Sequence, residues 1–148
     1  MIVSDGGKPS NVDRGYVLRR LIRRAVRHMN KLQIDLNEIS TLIETYVENL
    51  KEMYPELENN KETIIKTIVE EKGKFVKTLS HGEKEFTKAM NNCKNQGKDK
   101  IDGNIVFKLY DTYGFPPEVT KELAEEMDYV LIWKNLMNYL KLIKKNQD

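Results

Sequence analysis

All six arginines of this 148-residue chain fall in one stretch: Arg14, Arg19, Arg20, Arg23, Arg24 and Arg27. The other basic residues are lysines, spread along the chain. A guanidinium is a planar, permanently charged fork that matches paired phosphate oxygens. So dense a set points to contact with a nucleic-acid backbone. The alternative on the same residues is a solvated basic face, with some arginines paired to acidic helices elsewhere. Met1 to Lys31 holds eight Lys and Arg against Asp5 and Asp13, whereas the whole chain carries only +2. The asymmetry is therefore the informative quantity.

Little else in the sequence offers chemistry. His28 and His81 stand far apart, with no Cys or carboxylate at metal-ligand spacing, so no metal site is expected. Cys93 is the single cysteine, which excludes an intrachain disulfide and fits a reducing, cytoplasmic setting. It has no activating partner and reads as an inert thiol. Asp5-Gly6-Gly7-Lys8 resembles a phosphate-binding loop only superficially, because P-loop spacing and a preceding strand are absent. Glu70 and Glu71 occupy adjacent helical positions, point two ways, and read as a solvated face rather than an acid–base pair. No catalytic residue is assigned and no cofactor is expected in this chain. The residues describe a helical binding module, not a self-sufficient enzyme.

The elements that must position the arginines are helical. Leu18, Leu21, Ile22, Ala25, Val26 and Met29 form one apolar stripe on a helix from about Val12 to Lys31. The arginines are expected on the rest of the wheel, outside that stripe. Ser10 or Asn11 is placed to cap this helix. The apolar Met1-Ile2-Val3 before it reads as the tail of something longer. A second helix carries Leu36, Ile39, Leu42, Ile43, Tyr46, Val47, Leu50 and Met53 and stops before Pro55. A third, of about 30 residues or 45 Å, starts near Asn59 or Asn60. Gly73 and Gly82 lie inside it at a cost of about 1 kcal/mol each, and either is a candidate bend. Residues 91–103 read as a polar loop.

A helix from about Gly103 to Tyr113 ends at Gly114, a natural left-handed cap. Pro116 and Pro117 turn the chain into a helix from Glu118 to about Asp128, with Val119, Leu123 and Met127 expected on its buried side. Tyr129 to Lys145 is expected to be helical. No segment alternates as a strand, and no repeat is visible. The composition, 39% hydrophobic and 32% charged, is that of a folded domain. No stretch approaches the roughly 20 apolar residues of a membrane span, and the N-terminus lacks a secretory pattern. The predicted fold is all-α, with five or six helices. Its first three form a bundle-like core against which the Tyr110–Pro117 turn packs.

Two stretches carry a family resemblance. Asp5-Gly6, Pro9-Ser10-Asn11 and the run from Arg14-Gly15-Tyr16 through Ala25-Val26-Arg27-His28 resemble the segment just after the catalytic core of alanyl-tRNA synthetases. Phe107-Lys108-Leu109-Tyr110-Asp111-Thr112-Tyr113-Gly114-Phe115-Pro116 resembles a later motif of that family, in the same order and at about the same separation. Phe75 to Leu79 followed by Gly82 is similar to the family's long middle helix. The likeness covers about Val3 to Met127. It divides the chain into residues 1–128, of tRNA acceptor-stem recognition type, and a divergent C-terminal helix, 129–148.

The resemblance implies tRNA binding within alanine–tRNA ligase in protein biosynthesis. In that family ATP and alanine bind a catalytic domain with three class II motifs, and an editing domain holds a His/Cys cluster. None of these motifs occurs here, so the chain is expected to be inactive alone and to work with a separate catalytic domain or chain. The family reads a wobble G·U pair, the third of the acceptor stem, with one Asn and one Asp; by motif these fall on Asn11 and Asp111. The six arginines would then hold the tRNA backbone. On the residues alone, Asn11 could be only a helix cap and Asp111 only a stabiliser of the Thr112-Tyr113-Gly114 turn. The sequence departs from the family pattern at Gly7-Lys8 and Val12-Asp13, and the likeness fades after Met127. A general RNA-binding helical module and a truncated remnant serving as an interaction scaffold are the alternatives.

Overall fold

A computed structural model describes residues 1–131. They form six α-helices and one minimal strand pairing, so the fold is all-α. The chain divides into two compact units, Met1–Val76 and a second beginning at Lys77.

In the first unit, α1 spans Asp13–Lys31, a 3-10 turn Leu36–Glu38, α2 Ile39–Leu50 and α3 Glu56–Asn59. The N-terminal half of α4, Lys61–Asn95, completes it. Asp35 opens the 3-10 turn by accepting the Asn37 N–H at 2.9 Å, so α2 begins three residues later than the apolar pattern. α2 ends at Leu50, so Met53 lies beyond it and the stop expected at Pro55 comes earlier; Pro55 is instead the N-cap of α3, the turn of helix before Asn60. The Asn60 amide donates to Ser4 Oγ at 3.0 Å, tying the N-terminal segment down. Val3, Leu18, Ile22, Val26, Met29, Ile39, Ile43, Val47, Leu57, Ile64 and Phe75 make the core.

The buried face of α1 differs from the predicted stripe. Leu21 is 46% exposed and Ala25 is exposed, while Arg23 and Arg27 are buried, at 8% and 2%. The helix is rotated about its axis toward its arginine flank, where a buried carboxylate and the Phe75 ring wait to receive guanidinium groups. The expectation that every arginine lies outside the buried face is therefore corrected.

In the second unit α4 continues to Asn95, and the predicted loop shrinks accordingly. Then follow β1 Lys100–Ile101, α5 Gly103–Tyr113, α6 Pro117–Glu126 and β2 Val130–Leu131. β1 and β2 run parallel, Lys100 opposite Val130 and Ile101 opposite Leu131. Strands of two residues are too short to show alternation, which is why the pattern missed them. Gly114 takes the left-handed conformation, φ 66°, and its N–H and that of Phe115 close α5 onto Tyr110 and Leu109. That cap is as predicted.

Leu79, Phe86, Met90, Ile101, Val106, Leu109, Phe115, Val119 and Ala124 form this unit's core. The buried side of α6 is Val119, Thr120 and Ala124, not Val119, Leu123 and Met127. Met127 lies past the helix end and is 39% exposed. With α5 and β2 both against it, α6 turns Thr120 and Ala124 inward. Of the helix expected over Tyr129–Lys145, Val130–Leu131 is strand, and residues 132–148 lie outside the described residues.

Candidate nucleic-acid interface

The loop before α1 is clamped onto the helix it leads into. The Ser10 N–H donates to the Gly15 carbonyl at 3.0 Å. Gly15 is buried, and a Cβ there would stand 2.5 Å from the Lys8 carbonyl oxygen and against the Ser10 hydroxyl. Only glycine lets the loop lie this close. Val12 is the N-cap residue, extended and without a side-chain cap. Asp13, the first helical residue, has φ 49°, a left-handed conformation that Asp tolerates better than most. Neither Ser10 nor Asn11 caps the helix. Ser10 Oγ instead accepts the Val12 N–H and donates to the Val12 carbonyl.

Asn11 is exposed on this loop, and its Oδ1 accepts a hydrogen bond from Arg19 Nη1. The same guanidinium donates through Nε to Glu71 Oε1 at 2.9 Å. Arg23 reaches that oxygen too, through Nε and Nη2, each at 2.9 Å. Glu71, on α4, is 2% exposed. It is not a solvated partner of Glu70 but the buried acceptor of two arginines, because α4 presents it to the arginine flank of α1. Phe75, one helical turn on, lies under the Arg23 guanidinium with 5.2 Å from carbon to ring centroid.

The six arginines thus fall into different roles. Arg19, Arg23 and Arg27 follow one another at i, i+4 and i+8, and Arg23 and Arg27 are buried. Arg14 is exposed, and Arg20 and Arg24 are partly exposed. The Arg20 guanidinium sits 5.9 Å from the Tyr16 ring centroid. Beside the loop a groove of about 390 Å³ is lined by Lys8, Pro9, Lys66, Glu70, Glu71 and Lys74. The sequence does not group these lysines, because Lys8 and Lys66 are far apart in the chain.

Asp111 belongs to the second unit. It is exposed in the last turn of α5, and its carboxylate makes no hydrogen bond or ion pair among the described residues. The turn after it is held by other groups: the Gly114 and Phe115 N–H groups, and the Thr78 hydroxyl, which donates to the Tyr113 carbonyl at 2.7 Å. Asp111 therefore does not build that turn. Its position is electrostatically unfavourable, since the C-terminal end of a helix carries partial negative charge.

His28 and His81 are exposed and Cys93 is buried. Among the described residues no group of three or more His, Cys, Asp or Glu side chains is arranged to hold a metal. No helix among them is long and apolar enough to cross a membrane.

The sequence profile of the family described as tRNA synthetases class II (A) matches residues 1–147. The chain is similar to the alanine–tRNA ligase of Natranaerobius thermophilus, 44% identical over 130 residues, covering 88% of this chain and 15% of the ligase. The alanine–tRNA ligase of Fusobacterium nucleatum is 44% identical over 131 residues, with coverage of 88% and 15%. That of Bdellovibrio bacteriovorus is 38% identical over 125 residues, with coverage of 84% and 14%. The chain spans about 15% of the length of the curated relatives it matches.

Proposed function

The chain belongs to the tRNA synthetases class II (A) family, and on that premise we propose that it binds the acceptor stem of alanine tRNA and reads a wobble G·U pair there. The observation that carries this reading is Asp111, an exposed carboxylate without a partner among the described residues at the unfavourable end of α5. A free acceptor kept where it costs stability suits a donor supplied by a ligand. In a wobble pair the guanine amino group lacks its usual partner in the minor groove, and a carboxylate accepts such a donor well. The minor groove of an A-form stem is wide and shallow enough to admit it.

Asn11 supplies the second base-edge contact in this reading. Arg14, Arg20 and Arg24, with the lysines of the groove beside the loop, supply phosphate affinity that carries no sequence information. Arg19, Arg23 and Arg27 support the surface from beneath. Alanine activation with ATP belongs to a catalytic domain that acts with this chain during cytoplasmic protein synthesis.

The test is binding of the 148-residue chain to acceptor-stem hairpins carrying G·U or G·C at the third pair, at fixed moderate salt. The expected preference for G·U is roughly tenfold, as one good base contact provides, and Asp111→Ala abolishes it. Equal, salt-sensitive binding to both hairpins would reduce the chain to a basic RNA clamp.

A further inference from the structure

We infer that Arg19 is a positioning residue: held by the buried Glu71, it locks the Asn11 carboxamide so that Asn11 meets the RNA as a hydrogen-bond donor. The inference rests on reading Asn11 as a base-edge contact and adds which edge it can take.

Arginine has five N–H donors and no acceptor. The Asn11 atom that faces Arg19 Nη1 must therefore be the carbonyl oxygen Oδ1. That leaves the Asn11 NH2, which makes no hydrogen bond among the described residues, for an outside partner. The guanidinium that imposes this orientation is itself fixed. Its Nε bonds to Glu71 Oε1 at 2.9 Å, and Glu71 is 2% exposed and anchored a second time by Arg23. The backbone of Asn11 is fixed from the other side, by the Ser10–Gly15 hydrogen bond and the close approach over Gly15.

An exposed Asn on a loop would otherwise sample both amide orientations and present donor or acceptor indifferently. Here it is pre-organised as a donor before any ligand arrives, which removes an ordering cost from binding. The minor groove offers matching acceptors: the purine N3, the pyrimidine O2 and the 2′-hydroxyl. As a donor, Asn11 is chemically complementary to Asp111, whose carboxylate only accepts.

The test compares the G·U to G·C affinity ratio across variants of the 148-residue chain and follows the Asn11 side-chain NH2 by NMR without RNA. Arg19→Lys keeps the charge but lacks the planar fork that reaches Glu71 and Asn11 together. The expected result is a ratio that falls from roughly tenfold to near one, with the Asn11 NH2 becoming mobile in the free protein. Asn11→Asp keeps an acceptor for Arg19 and removes the donor, and it too brings the ratio to near one.

If Arg19 were only a phosphate contact, Arg19→Lys would change both affinities alike and leave the ratio and the Asn11 NH2 dynamics as they were. That outcome, with Asn11→Ala still abolishing the preference, overturns the positioning role alone. A wild-type chain without preference, or an Asn11→Ala variant that keeps it, overturns the base-contact reading and the inference with it.

Discussion

The aromatic ring of Phe115 lies where a side chain on Gly82 would have to stand. Phe115 is fully buried, and a Cβ built on Gly82 collides with its ring atoms. Gly82 is thus a notch in α4 that admits the residue following the Gly114 cap, not a weak point in the helix. Gly73, in the same helix, has nothing within 4 Å of such a Cβ. The two glycines therefore make opposite predictions.

Gly82→Ala should destabilise the second unit by about 1–3 kcal/mol through overpacking, despite the better helix propensity of Ala. Gly73→Ala should stabilise by up to about 1 kcal/mol, since it relieves backbone entropy and meets no neighbour. Thermal unfolding followed by circular dichroism reads both, and equal shifts of the same sign would refute the notch.

Glu71 is predicted to matter more for folding than any other acidic residue described. It is the buried acceptor of Arg19 and Arg23. Glu71→Ala removes the buried carboxylate that Arg19 and Arg23 share, and removing one partner of a buried pair typically costs about 3–5 kcal/mol. Denaturant unfolding of the first unit, read by a probe on α1, should show that loss. A shift below about 1 kcal/mol, the scale of a surface pair, would mean that water replaces the carboxylate.

What was legible in the sequence and what was not follows from range. The Gly114 cap depends on the backbone rules of one or two residues and is readable, whereas α2 ends at Leu50, short of the Pro55 that marks a stop in the sequence. The arginine helix was readable as a helix, but not its orientation. Which arginines go inward depends on Glu71, and Arg19 and Glu71 are 52 residues apart. The i, i+4 spacing of Arg19, Arg23 and Arg27 beside Leu18, Ile22 and Val26 was the one available hint that a counter-charge must sit opposite. Asn11 and Asp111 stood out only through family resemblance, because an exposed polar residue has no local signature. That Asn11 can act as a donor depends on its bond to Arg19, which no spacing rule discloses.

Salt dependence should separate the two sets of arginines. Neutralising a phosphate contact lowers the slope of log K against log salt concentration by about one. Arg14→Gln and Arg20→Gln should each do so, with both hairpins weakened alike. Arg27→Gln should leave the slope unchanged and lower the unfolding midpoint, since Arg27 is 2% exposed. An unaltered slope in the Arg14 and Arg20 variants would remove them from the interface.

The second unit carries a pH-sensitive pair at its surface. Lys108 Nζ lies 2.9 Å from Glu85 Oε2. Its hydrogen bond, then its charge, hold the Glu85 carboxyl below the ordinary carboxylate range. A carboxyl depressed on folding contributes stability above its unfolded pKa of about 4.3, and that contribution fades as pH falls through the lower, folded value. Titration of Glu85 by carbon-detected NMR should show the low midpoint, and Lys108→Met should return it to the ordinary range. Because Lys108 is exposed and Glu85 only half-buried, the fold should tolerate that change.

Gly15→Ala tests whether the loop geometry, and not only its residue content, produces discrimination. The new methyl would meet the Lys8 carbonyl and the Ser10 hydroxyl, so the loop must lift or the helix must shift. Lifting is the cheaper response, because α1 is held by Leu18, Ile22 and Val26 and by two arginines on Glu71. The expected outcome is unchanged helicity, displaced amide resonances for residues 8–12, and a G·U preference reduced toward one with the salt slope intact. Retained preference with a displaced loop would mean that Asn11 reads the stem from more than one loop position. Arg19 would then have to follow it, which its bond to Glu71 opposes.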